Sequence, residues 1–497
     1  MIKLKALLNN KWFFPALIFY YGTFYILFGE KYPFNGGLST DGYVFGTFIP
    51  DFTKSYFFDS YYVQRILPSF LVSIFFKILS INSVIANIYI AFQILNLLSI
   101  VITCYYFKRI LLWFKITFKN QLLAFTLLLL NFGVIKYPFY MPVMTDTFAM
   151  MLSTILLFCY IKNDIKGMVF TTLMLAFTWP MGYYHGLLLL ALPISILPFQ
   201  KPLKIQKNLI YGGFTIYILF LSLYLVFIKK MDNTVLYVSK IDRNLLFISI
   251  TGIALLYFFF AKLFFNKTLL DISLFFKKLK YERVLVSLGV FAIVTAIVYF
   301  LNPNPTPKYT TVQVLTDPII YALIKPLISL VADTSYFGVV VCLLMIFWND
   351  FCKIMSQMGW GIAAAIGLNL FLFGITPQSR HLINILPWVI VFLAKALNKY
   401  SFSNRFYIVV GLLSFVASKI WLLLNIYHIW PHLTFDRNGC LGFPDQILWM
   451  NIGPWMNEQM YYVQGGVMLL IIAILILTLY KIEINKSNKL LQLVRRF

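Results

Sequence analysis

Apolar stretches long enough to cross a bilayer follow one another from residue 12 to residue 480. Each span of hydrocarbon takes about 20 such residues as a helix. With 61% hydrophobic and only 12% charged residues, the chain falls far below the roughly 25% charge of a water-soluble domain. No long polar stretch separates the apolar ones, so no soluble domain can be cut out. Residues 1–497 therefore read as one integral membrane domain. The expected fold class is all-α: a polytopic transmembrane helical bundle of about 14 spans, with interfacial helices in the first outer loop.

The net charge of +24, from 41 Lys and Arg against 17 Asp and Glu, lacks the continuous basic face that nucleic acid requires. The cations cluster in short connectors, "FKRILLWFKITFKN", "KPLKIQKN" and "FFKKLKYER", and in a basic tail at 481–497. Such clusters mark cytoplasmic connectors and attract anionic headgroups. Membrane lipids are thus expected partners, and nucleic acid is not. Cys104, Cys159, Cys342, Cys352 and Cys440 form no CxxC pair, so neither a zinc site nor a disulfide framework is indicated. Lys3, Lys5 and Lys11 precede the first apolar run without a small-residue cleavage site, which reads as an uncleaved first span.

The expected spans are 12–29, 83–107, 120–135, 142–161, 167–180, 184–198, 209–228, 245–261, 284–301, 334–348, 359–374, 382–397, 406–425 and 461–480. With both termini cytoplasmic, most Lys and Arg fall inside, as the positive-inside bias requires. Segment 66–81 is left out because counting it would move "KRILLWFKITFK" outside. It is expected along the outer interface, with Lys77 snorkelling. Segment 318–332, broken by Pro326 and carrying Lys325, is read the same way. The run 168–198 is interrupted by "WPMGYYHG" and reads as a hairpin with its tip outside. The connector 229–244 is net positive and still falls outside, against the trend. Richness in Lys, Asn, Ile and Phe suits AT-rich coding and hence a bacterial inner membrane.

On this map the polar residues hardest to explain share the outer rim: Asp41, Asp51, Asp59, Arg65, Asp146, His185, Asp317, Arg380 and His381. Loops between packed spans at one interface are where a bundle builds a site. Asp41, in "GGLSTDGY", either caps the helix that follows or serves as general base or cation ligand. Asp51, in "PDFTKS", reads as a cap. Asp59 and Arg65 form an interfacial ion pair or part of a pocket. Asp146, inside a very apolar span, either caps its helix or lines a wet cavity, since a lone buried carboxylate is costly.

Arg380 and His381, in "PQSRHLINILPW", sit at the outer end of a span. Arg380 either snorkels or offers its planar fork to phosphate. Trp179, Tyr183, Tyr184 and His185 mark the hairpin tip, as an aromatic belt or as a sugar-packing surface. Lys419 snorkels or meets a lipid phosphate. The long last outer loop, 426–460, carries Asp436, Asp445 and Glu458 and could cover a substrate groove. His428 and His432 flank Pro431 and have no evident third metal ligand. The chain has no P-loop, GxGxxG or HExxH motif, so a cytosolic nucleotide site is not indicated.

These features resemble the GT-C class of integral membrane glycosyltransferases. The shared traits are an N-in first helix, an acid soon after it in a long first outer loop (30–82), interfacial helices in that loop, many spans, and a late outer arginine in "SRHLINILP". The class takes a sugar from a polyprenyl-phosphate carrier and passes it to an acceptor on the outer side. The resemblance implies a polyprenyl-phosphate-linked sugar and a glycan or lipid acceptor as partners. It implies Asp41 as the base, with Asp146 sharing that work or positioning the acceptor. Arg380, or Arg65, would bind the phosphate, and Tyr184 and His185 would bind sugar hydroxyls. Asp59 and His381 complete the substrate-binding set. The adjacent acid pair of better-known members is absent, since "TDG" offers one acid; no cofactor is implied beyond a possible divalent cation at the acidic rim. Two other readings stand beside this one: a polysaccharide polymerase or ligase using lipid-linked glycans, and a transporter or flippase.

Overall fold

The structure, a computed structural model, describes residues 10–32, 34–38, 40–50, 60–192, 194–224, 244–302, 311–425, 456 and 458–483. Among these, every regular element is a helix. Together with the apolar spans this makes a helical membrane protein, because a helix satisfies its own backbone in lipid.

Among the described residues, five helices are long and apolar enough to cross a bilayer: Ile85–Trp113, Leu246–Phe264, Tyr281–Leu301, Val339–Gln357 and Met460–Leu479. Two bent pairs, Phe118–Leu129 with Phe132–Tyr140 (70°) and Thr316–Leu323 with Ile328–Phe337 (93°), bring the number to seven if each is one span. The expectation of about 14 spans is corrected accordingly. Several apolar runs form short helices, such as Ile165–Ala176 and Leu386–Leu397. At 1.5 Å per residue these fall short of a hydrocarbon core of about 30 Å.

The local breaks have identifiable causes. Asn163 ends the Asp146–Lys162 helix in the left-handed region at φ 56°. Asp164 then caps the next helix by accepting from the Gly167 N–H at 3.0 Å. That helix, Ile165–Ala176, and Pro180–Ala191 form the expected hairpin, with Trp179 and Pro180 at its turn. Segment 66–81 gives the amphipathic Leu67–Ile78 helix, which buries Val72 and Phe76 and leaves Phe75 and Ile78 exposed. Segment 318–332 is not one interfacial piece. It contains the 93° bend, where Leu327 takes φ 51° and the Pro326 carbonyl accepts from Tyr461 at 2.6 Å. The span expected at 334–348 is cut at Gly338, whose φ is 66°.

Chain direction defines two rims. At one, Tyr89 donates to the Tyr140 carbonyl at 2.9 Å, and the Leu67 N–H donates to Phe177 at 2.8 Å. At the other, Arg283 donates to Asn163 Oδ1 at 3.1 Å and to the Leu190 carbonyl at 3.0 Å. The two bent pairs touch near the first rim: the buried Tyr336 ring lies 5.7 Å from Phe132 and covers Gly133. A methyl group on Gly133 would collide with that ring, which is fully enclosed. Gly133→Ala is expected to lower stability by about 1–3 kcal/mol, read as a fall in melting temperature in detergent. Gly289→Ala, whose new methyl meets nothing within 4 Å, should leave the transition in place.

Candidate functional site

Six separate chain segments converge at the first rim. Gly36 and Gly37, at φ 64° and 104°, let the chain press against Ile85 and Tyr89, where any side chain would clash. This delivers Asp41 in the first turn of the Thr40–Thr47 helix. Arg380 comes from a single 3-10 turn, Ser379–Leu382, wedged between the Trp360–Phe373 and Leu386–Leu397 helices. Its Nη2 meets Asp41 Oδ2 at 3.2 Å, with the side chains 17% and 22% exposed. Asp41 is therefore neither a simple cap nor solvent-facing, and Arg380 pairs within the protein.

Asp146 opens the Asp146–Lys162 helix and is fully buried. Neither of its oxygens accepts a hydrogen bond from another residue. Nor does Thr145, the preceding residue, cap the helix with its side chain. The charges of Arg380 and Arg65 and the carboxylate of Asp41 all act on Asp146. Burial works against the Arg380 charge, but the carboxylates of Asp146 and Asp41 outweigh it and raise the guanidinium well above its usual range. Tyr137 and Tyr61 lie in the same field, as does Tyr336.

Arg65, 9% exposed, stacks between Tyr61 at 4.4 Å and Trp179 at 4.3 Å, and its Nε has no partner. Stacking of this kind suits a delocalised guanidinium. The other side of the cluster is His381, 5.9 Å from Trp179 and 4.9 Å from Phe373 between ring centroids. Burial first, then the charges of Arg380 and Arg65, push His381 well below the usual imidazole range, so its ring is neutral. Trp179 thus joins Arg65 to His381, a role beyond that of a belt residue.

Other expected positions fall elsewhere. Tyr184 is 45% exposed and packs on Tyr183, away from the ion pair. His185 is fully buried, 3.3 Å from Asn369 and beside Trp388. Asn369 in turn reaches Asn384 at 3.4 Å, which makes His185 part of a buried polar support for the Arg380 segment. Lys419 does not snorkel: its Nζ donates to the carbonyl and hydroxyl of Ser335 at 2.7 and 2.9 Å. Asp51, Asp59, His428, His432, Asp436, Cys440 and Asp445 lie outside the described residues. For a divalent cation, no group of three His, Cys, Asp or Glu side chains occurs among the described residues.

No known family model matches this chain, and neither a curated protein nor a solved structure matches it. Sequence reasoning passed over Asp333, 5% exposed and close to Ser379, the residue before Arg380, with one carboxylate oxygen left without a partner. A lone acid in the apolar "SLVADTSYF" was the available signal.

The cluster combines two carboxylates, two guanidinium groups, phenols and a neutral imidazole in a largely water-free place. It can bind an anion, accept a proton, or both. The direct test of the pairing is a double-mutant cycle on Asp41→Asn and Arg380→Gln. Denaturation in detergent should give a coupling of about 0.5–3 kcal/mol. Additive effects would show that the two side chains do not meet.

Proposed function

We propose that this protein is a membrane glycosyltransferase that moves a sugar from a polyprenyl-phosphate donor to an acceptor hydroxyl. The observation that carries this reading is Asp146: a fully buried carboxylate bonded to no other residue, set beside the Asp41–Arg380 pair. Such a group is costly unless a function holds it in place. A donor phosphate would compete with Asp41 for Arg380, since phosphate also suits the guanidinium fork. The released Asp41 carboxylate would take the proton of the acceptor hydroxyl. As that oxygen bonds to the anomeric carbon, the carbon–phosphate-oxygen bond breaks and polyprenyl phosphate leaves with the electron pair. Asp146 would orient the acceptor, and Arg65 would add positive charge. Positioning and electrostatics would supply most of the rate.

Two further features support a lipid-linked donor. An apolar cleft lined by Phe260, Leu330, Phe337, Leu344 and Leu386 also has Asp333 and Leu382 on its wall, and Leu382 belongs to the Arg380 turn. The rim opposite the site carries basic residues such as Arg109, Lys119, Lys166, Lys204, Lys277 and Arg405, a bias that supports a cytoplasmic position for that rim and an outer one for the site.

The bent pairs favour a second reading. Discontinuous helices carrying Lys136 and Asp333 are what a transporter uses near its substrate. Purified protein incubated with a panel of polyprenyl-phosphate sugars and acceptors should consume one donor only when an acceptor is present. Asp41→Asn should abolish that transfer with expression and membrane insertion intact. Movement of lipid across proteoliposomes without any transfer would favour the transporter instead. Transfer at the wild-type rate by Asp41→Asn would remove Asp41 from the mechanism.

A further inference from the structure

At the rim opposite the Asp41–Arg380 pair, two basic connectors enclose a polar cavity of ≈ 850 Å³. One wall is the strand of chain 195–200 with Gln206, and the other runs from Lys267 to Lys278. The base is held by Asn266, whose side chain accepts from the Gln200 N–H at 3.1 Å and donates to the Ser356 carbonyl at 3.3 Å. The Lys267 N–H closes the same junction by donating to the Gln200 carbonyl at 2.9 Å. The cavity is therefore built by fixed backbone and does not depend on the lysine side chains for its shape.

The charge around it points to what it takes. Thr268 lines the cavity at 8% exposure with its hydroxyl buried in the wall, out of reach of the open space. Lys267 and Lys278 line the same space, with Lys201, Lys204 and Lys277 nearby in sequence. Asp271, also on the wall, is engaged as a cap, accepting from the Leu274 N–H at 3.0 Å. The excess charge is positive.

The short Ile272–Lys278 helix fixes the setting. Phe275 packs on Trp360 at 5.5 Å, and the Trp360 indole donates to the Leu269 carbonyl at 2.7 Å. With Phe275 turned inward, Ile272 (71%) and Phe276 (57%) are left exposed beside the lysines. Exposed apolar side chains next to ammonium groups at the end of membrane helices suit the boundary between acyl chains and headgroups.

We propose that this cavity binds the phosphate headgroup of an anionic glycerophospholipid. Lys267 and Lys278 meet the phosphate, and Ile272 and Phe276 lie against the acyl chains. The proposal does not depend on the glycosyltransferase reading.

The test is a titration of the purified full-length protein in detergent with phosphatidylglycerol, phosphatidylcholine or inorganic phosphate, following melting temperature. Phosphatidylglycerol should raise it saturably, and phosphatidylcholine should not. Lys267→Gln with Lys278→Gln should weaken the phosphatidylglycerol effect about tenfold or more, with little change in the lipid-free transition. Lys162→Gln with Lys166→Gln, on the same rim outside the cavity, should leave the phosphatidylglycerol effect unchanged. Equal stabilisation by phosphatidylcholine, equal loss in the Lys162/Lys166 control, or full stabilisation by inorganic phosphate alone would overturn the proposal.

Discussion

The structure depends on one constraint: a charge carried into an apolar bundle must find a partner there. Several deeply placed ions bear this out. Asp41 meets Arg380, and Lys136 meets Glu30 at 3.3 Å. Glu30 also accepts from the backbone N–H groups of Leu424 and Asn425 at 3.0 Å each, while Lys136 donates to the Leu422 carbonyl. Arg283 spends its donors on Leu190 and Asn163. Asp146 departs furthest from the constraint: charges lie nearby, but neither carboxylate oxygen takes a hydrogen bond from another residue. Exceptions to so costly a rule mark sites of action more often than faults in packing.

The same constraint explains the bent helices. Breaking a helix frees backbone groups that lipid cannot satisfy, so a break is tolerated only where protein supplies partners. At the first bend the side chain of Asn131 does so, capping the next turn by accepting from Val134 at 3.1 Å. At the second, Tyr461 answers the Pro326 carbonyl. Polar side chains from distant helices thus serve the backbone. Asn96, deep in the Ile85–Trp113 helix, donates to the carbonyls of both Pro138 and Pro142.

What the sequence revealed follows from this. The class was legible because apolar content is a sum over many residues. Asp41, Arg65, Asp146, Arg380 and His381 were legible as a group because each sits where a charge has no cheap explanation, and alternation of spans put them at one depth. The number of spans was not legible. Hydropathy adds across a break such as Gly338 or Leu327, where a single backbone torsion redirects the helix. Nor was the facing of neighbours: Tyr184 and His185 are adjacent in sequence, but the helical turn of about 100° per residue sends one to the surface and the other inward. Asp333 escaped notice because its neighbour Ser379 is distant in the chain and chemically ordinary.

The two rims are mechanically one object. The Trp360–Phe373 helix, 14 residues long and so about 21 Å, begins at the Leu269 carbonyl beside the basic cavity and ends against His381. Midway along its last turns, Asn369 contacts His185 and Asn384. The neighbouring hairpin repeats the arrangement, with Trp179 at the site and Leu190 held by Arg283 at the far end. Rigid helices transmit position, not just proximity. Whatever holds the basic rim at the headgroup level therefore also sets how deep Arg380, Asp41 and Asp146 lie. If Arg380 meets a donor phosphate at the interface, as proposed above, that depth is part of the chemistry.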